Sequence, residues 1–76
     1  MSYELSKEEK SNIINQHLKN LEYNKYTLRI SLLEMNSGFI VKKESIQDIE
    51  DQILSINSKQ KALLKELNSL EEKDNG

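Results

Sequence analysis

From Ile46 to Leu70 the apolar residues fall at Ile46, Ile49, Ile53, Ile56, Leu63, Leu67 and Leu70. The steps alternate between three and four residues, and only Gln60 places a polar side chain in the series. A strand repeats every two residues and would scatter this set over both faces. An alternating three–four repeat keeps it on one narrow stripe of a helix, and such a stripe needs another helix to cover it.

A second stretch carries the same pattern. Ile14, Leu18, Leu21, Leu28, Leu32 and Met35 form a seam in which Lys25 holds the one polar position, and Ile13 and His17 flank its first half. Ser6-Lys7-Glu8-Glu9 reads as a capping box before it: the Ser6 hydroxyl can accept from the Glu9 amide while the Glu9 carboxylate reaches back to Ser6. Helix 1 is therefore expected over about 6–35, after a short lead-in from Met1 to Leu5. Asn36-Ser37-Gly38 should end it, with Gly38 or Asn36 suited to a left-handed cap. The connection is expected at 36–44, helix 2 at about 45–72 with Ser45 as its N-cap, and a polar tail at 73–76. The helices are of similar length, so the expected fold is an all-α, antiparallel two-helix hairpin or coiled coil that assembles into a helical bundle. Alignment about the connection places Gln60 near Asn20 and Leu21, and Lys25 near Ser55. Leu54 and Leu64 would widen the helix 2 seam on one side.

The C-terminal half of helix 1 carries more apolar surface than one partner helix can cover. Tyr23, Tyr26, Ile30 and Leu33 form a second stripe, roughly 100–200° around the helix from the first. Phe39, Ile40 and Val41 add an apolar centre to the connection. These seven residues are the candidate protein interface, because tyrosine offers apolar area with a polar tip. The competing reading is that Phe39, Ile40 and Val41 fold back over part of this stripe within one chain.

Size points the same way. At 76 residues the chain is one small domain, and such a domain buries only about 60% of its unfolded surface. With no Cys and a single His, disulfides, thiolate metal sites and a His-based site within one chain are not expected. Oligomerisation, with a dimer favoured, or docking on a protein partner is the remaining reinforcement. The net charge of −2 and a single Arg, Arg29, argue against nucleic-acid binding. No run of about 18 apolar residues exists to span a membrane, and Met1 to Glu4 do not open a secretory leader.

No catalytic, cofactor-binding or metal-binding residue is expected. His17 is the one side chain whose ordinary pKa lies near neutrality, yet no Ser, Asp or Glu is spaced to orient it. The carboxylates are scattered: Glu50 and Asp51 are adjacent and so diverge on a helix. Gly38 stands alone and builds no phosphate loop, and Lys42-Lys43 reads as a soluble connection.

One resemblance can be placed on these residues. Ile13-Ile14-Asn15-Gln16-His17-Leu18-Lys19-Asn20-Leu21-Glu22-Tyr23-Asn24-Lys25-Tyr26-Thr27-Leu28, continuing to Ser31-Leu32-Leu33-Glu34, resembles the opening of small uncharacterised helical-hairpin proteins of tailed marine bacteriophages. Those proteins carry a Leu-Asn-Lys-Tyr-Asn-Leu type core, then Ser-Leu-Ile-Glu-Glu-Asn, a variable connection and a heptad-patterned second helix. The resemblance covers helix 1, extends to helix 2 by pattern only, and departs at Met35 and in Phe39-Ile40-Val41. It implies a phage protein of the host cytoplasm or virion. Two-helix aspartyl-phosphate phosphatases of sporulation control are set aside: Ser45-Ile46-Gln47-Asp48-Ile49 lacks their Leu-Asp at the opening of helix 2. The expected function is a non-enzymatic interaction or structural module that self-associates through helix faces. The alternative is a small regulator or inhibitor that lays a helix face in an enzyme's groove.

Overall fold

The computed structural model describes residues 4–38 and 43–74, which form two helices. Helix α1 spans Lys7–Asn36 and helix α2 spans Lys43–Asp74. Together they make an all-α antiparallel hairpin, 60 × 19 × 17 Å, a single layer of helix on helix.

The start of α1 is the capping box expected from its residues. The Glu9 amide donates to Ser6 Oγ at 3.1 Å, and the Ser6 amide donates to Glu9 Oε1 at 3.0 Å. Two donors that the first turn would otherwise leave open are thereby satisfied. The backbone bond from Ser6 holds the Glu9 carboxyl below its ordinary pKa, and the bond from the Ser6 hydroxyl adds to this.

The end of α1 lies where expected, but its mechanism differs. Ser37, at φ −95° and ψ −2°, stays right-handed, and no glycine among the described residues has positive φ. The last carbonyls are instead met by tightened i→i+3 bonds: the Ser37 amide donates to Glu34 at 3.2 Å and the Gly38 amide to Met35 at 3.2 Å. The Ser37 hydroxyl also donates to the Glu34 carbonyl at 2.9 Å. Ser37 does here what a left-handed glycine does elsewhere.

Helix α2 begins earlier than expected. Ser45 is its third residue and not its N-cap. Lys43 and Glu44 are good helix formers with no breaker after them, and Glu44 sits in the first turn where negative charge is favoured. Phe39, Ile40, Val41 and Lys42 lie outside the described residues.

Both seams face inward. Ile14, Ile49 and Ile56 are buried, at 8–9% exposure, and every other apolar seam residue of the two helices is half-buried. The core is thus a line of contacts with three isoleucines at its tightest points. One side of the hairpin presents a groove lined by Leu21, Asn24, Leu28, Gln52, Ile56 and Lys59. Rising numbers on α1 meet falling numbers on α2, which is the antiparallel register expected about the connection. At the open end Ile13, Ile14, Glu66 and Leu70 border a second hollow, with Leu5 and Lys10 beside them. Leu54 and Leu64 do not widen the core: at 63% and 50% exposure they remain largely in solvent. They sit beyond the narrow angle that one partner helix covers.

Candidate interaction surface

Two features stand out from the inward seam: a polar cluster that interrupts it and an apolar stripe on the far side of α1.

The cluster forms where the two polar seam positions meet. Lys25 Nζ donates to Gln60 Oε1 at 3.0 Å and to Asn57 Oδ1 at 3.2 Å, and lies 3.2 Å from Glu22 Oε2. An ammonium carries three protons, and here three acceptors surround it. Gln60 Nε2 in turn donates to Glu22 Oε2 at 2.9 Å, closing a ring across the hairpin. The Gln60 bond, then the Lys25 bond, hold the Glu22 carboxyl below its ordinary pKa. Sequence alignment puts Lys25 level with Ser55, about one turn away from Gln60. The four-carbon stem of lysine spans that offset and carries its charge along the seam to a shared meeting point. Lys25 is 28% exposed at its side chain and Glu22 64%, so the group is partly solvated and its Coulomb energy is modest. Its strength lies in geometry: all four side chains are in place together only at one register.

The stripe lies on α1 away from α2. Tyr23 is 74% exposed, Tyr26 62% and Leu33 60%, while Ile30 is half-covered. The structure brings these four residues together on one helix face and leaves three of them more than half exposed. Phe39, Ile40 and Val41, the other residues assigned to the interface, lie outside the described residues. The border of the stripe is turned inward: Thr27 Oγ1 donates to the Tyr23 carbonyl at 3.0 Å, and Ser31 Oγ to the Thr27 carbonyl at 3.3 Å. Hydroxyls that bond their own helix offer fewer donors to water, so the apolar character extends to the stripe's edge.

Sequence reasoning marked Lys25 and Gln60 as seam interruptions but not Glu22 or Asn57. The missing signal is the i, i+3 spacing of Glu22 to Lys25 and of Asn57 to Gln60, which puts one helper beside each polar seam residue. Leu5 and Ile13, at 45% and 44% exposure, flank the hollow at the open end, a feature that sequence reasoning did not foresee. His17 is exposed on α1. Among the described residues no three His, Cys, Asp or Glu side chains come together as metal ligands. No helix among them is long and apolar enough to cross a membrane.

Comparison with known protein families, characterised proteins and solved structures finds no significant match to this chain.

Proposed function

We propose that this protein is a non-enzymatic interaction or structural module, a helical hairpin that associates with copies of itself through the outer stripe of α1. The observation that supports this is the exposure of Tyr23, Tyr26 and Leu33, at 60–74%, on a helix whose other face is already taken up by α2. Domains bury apolar faces between packed layers, and a lone hairpin supplies one layer. A second hairpin on the outer stripe supplies the other. The resemblance of helix 1 to tailed-phage hairpins supports reading the module as a particle component or an accessory protein of a phage.

The test is to change Tyr26 and Ile30 together to Glu. Two carboxylates in an apolar contact lose their hydration without gaining a partner, a cost of several kcal/mol. The variant should lose assembly and run at the mass of one chain, with its helices kept by the untouched seam. An assembled mass equal to that of the unaltered protein would remove the stripe from the interface.

A further inference from the structure

We infer that the second copy docks antiparallel, outer stripe on outer stripe, so that Tyr23 of each chain meets Leu33 of the other and Tyr26 meets Ile30. This rests on the self-association proposed above and adds its geometry.

Three observations lead here. The first is area. The chain exposes 6588 Å², whereas a compact monomer of 8.9 kDa is expected to expose about 4,800 Å². Its radius of gyration is 17.5 Å, against the ~11 Å of a compact chain of this length. The excess of roughly 1,800 Å² belongs to the whole elongated hairpin, and a neighbour packed along the outer stripe would cover part of it.

The second is symmetry within the stripe. A two-fold contact pairs residue i with j and j with i. Tyr23 and Leu33 lie equally far from Leu28 along the chain, and so do Tyr26 and Ile30. The aromatic rings occupy the N-terminal half of the stripe and the aliphatic side chains the C-terminal half. Running the copies in opposite directions seats each ring on an aliphatic partner. Running them in parallel would place ring on ring and aliphatic on aliphatic, with the phenol hydroxyls crowded at one end.

The third is where the stripe stops. Asn12, Gln16, Lys19, Tyr23, Tyr26, Ile30 and Leu33 form one continuous line in three–four steps, and its first three members are exposed and polar. Antiparallel copies overlapped along the full helix would bury them against apolar groups. Staggered, antiparallel copies overlap only where the line is apolar. Centred on Leu28, this arrangement leaves the two open ends pointing apart. Two hairpins of 60 Å then make a rod of roughly 90 Å, taking 1.5 Å per residue.

The chain has no cysteine, so introduced ones report without interference. Tyr23→Cys and Leu33→Cys chains are mixed, oxidised and separated without reductant. The expected result is a cross-linked dimer in the mixture and little from either variant alone. Like positions lie about 15 Å apart along the axis, beyond the ~7 Å between Cα atoms that a disulfide spans. Efficient cross-linking of Tyr23→Cys with itself would overturn the antiparallel geometry and leave self-association standing. If the variants fall to monomers, small-angle scattering of the unaltered protein decides. A dimer about 90 Å long supports the staggered rod, a dimer about 60 Å long overturns it, and a monomer overturns self-association itself.

Discussion

Ile14 and Leu33 are large aliphatic side chains of one helix, and their surroundings are opposite. Ile14 is 9% exposed against α2, and Leu33 is 60% exposed on the far side. The inner stripe of α1 faces the seam of α2, which covers it. The outer stripe has no counterpart among the described residues. The difference shows that two helices satisfy a seam but leave a helix with two apolar faces half-solved, since one partner covers only a narrow arc. On the proposed reading, stability belongs to the inner stripe and assembly to the outer one.

Truncations separate the two stripes most sharply. Ile56→Ala removes one of the three buried isoleucines and should cost about 3 kcal/mol, measured by chemical denaturation. A small domain has little stability to spare, so helicity and assembly should be lost together. Leu33→Ala should leave the hairpin's circular dichroism unchanged and weaken assembly by roughly tenfold, about 1.4 kcal/mol, read from the midpoint of a dilution series. An Ile56→Ala variant that keeps its helices, or a Leu33→Ala variant that loses them, would break the division of labour.

The polar ring is the next test. Lys25→Met alone leaves Glu22, Asn57 and Gln60 without their common donor and should destabilise by about 1 kcal/mol. Lys25→Met with Gln60→Leu fills the seam with apolar groups and should recover that loss or exceed it. The double variant should also populate mixed masses, because nothing then fixes the register. A double variant as weakened as the single one would show that the ring contributes stability and not specificity.

Acid should act on the same groups. Glu9 and Glu22 both have carboxyl pKa values held below 4.5 in the folded chain. A lowered folded pKa adds stability that is present above the unfolded value and is lost as pH falls through the folded one. The melting temperature should be insensitive to these two groups from pH 7 to 5 and should decline below about 4.5. Glu9→Gln with Glu22→Gln should make that decline shallower, and an unchanged acid limb would remove both groups from the account.

The smallest effect is expected at Gly38. A Cβ there would meet the Met35 carbonyl at 3.5 Å and the Glu34 carbonyl at 3.7 Å, both ordinary contacts. With no positive φ to favour glycine and only ordinary contacts for a Cβ, Gly38→Ala should stabilise by about 0.5 kcal/mol through the unfolded chain. A loss of stability would mean that the glycine is needed for the path of the connection.

The two seams, their antiparallel pairing and the capping box were legible in the residues, because periodicity and capping are local and repeat on fixed spacings. The exposed stripe was legible as excess apolar surface for the same reason. The polar ring was half-legible. Lys25 and Gln60 announce themselves by interrupting the seam, but their meeting depends on the reach of a lysine stem, which spacing does not encode. The caps on either side of the connection were misread, although α1 ends where expected. Gly38 and Ser45 each had the right chemistry for a cap, and neighbours with equal claims took the roles: Ser37 bonds the final carbonyls, and Lys43-Glu44 extend α2 past the serine.

The most direct measurement is the light-scattering mass of the unaltered protein over a concentration series, with circular dichroism on the same samples. Assembly through the outer stripe predicts a highly helical species of twice the 8.9 kDa chain mass that dissociates on dilution. A fully helical species that stays at 8.9 kDa throughout would contradict it and leave the stripe to a different protein.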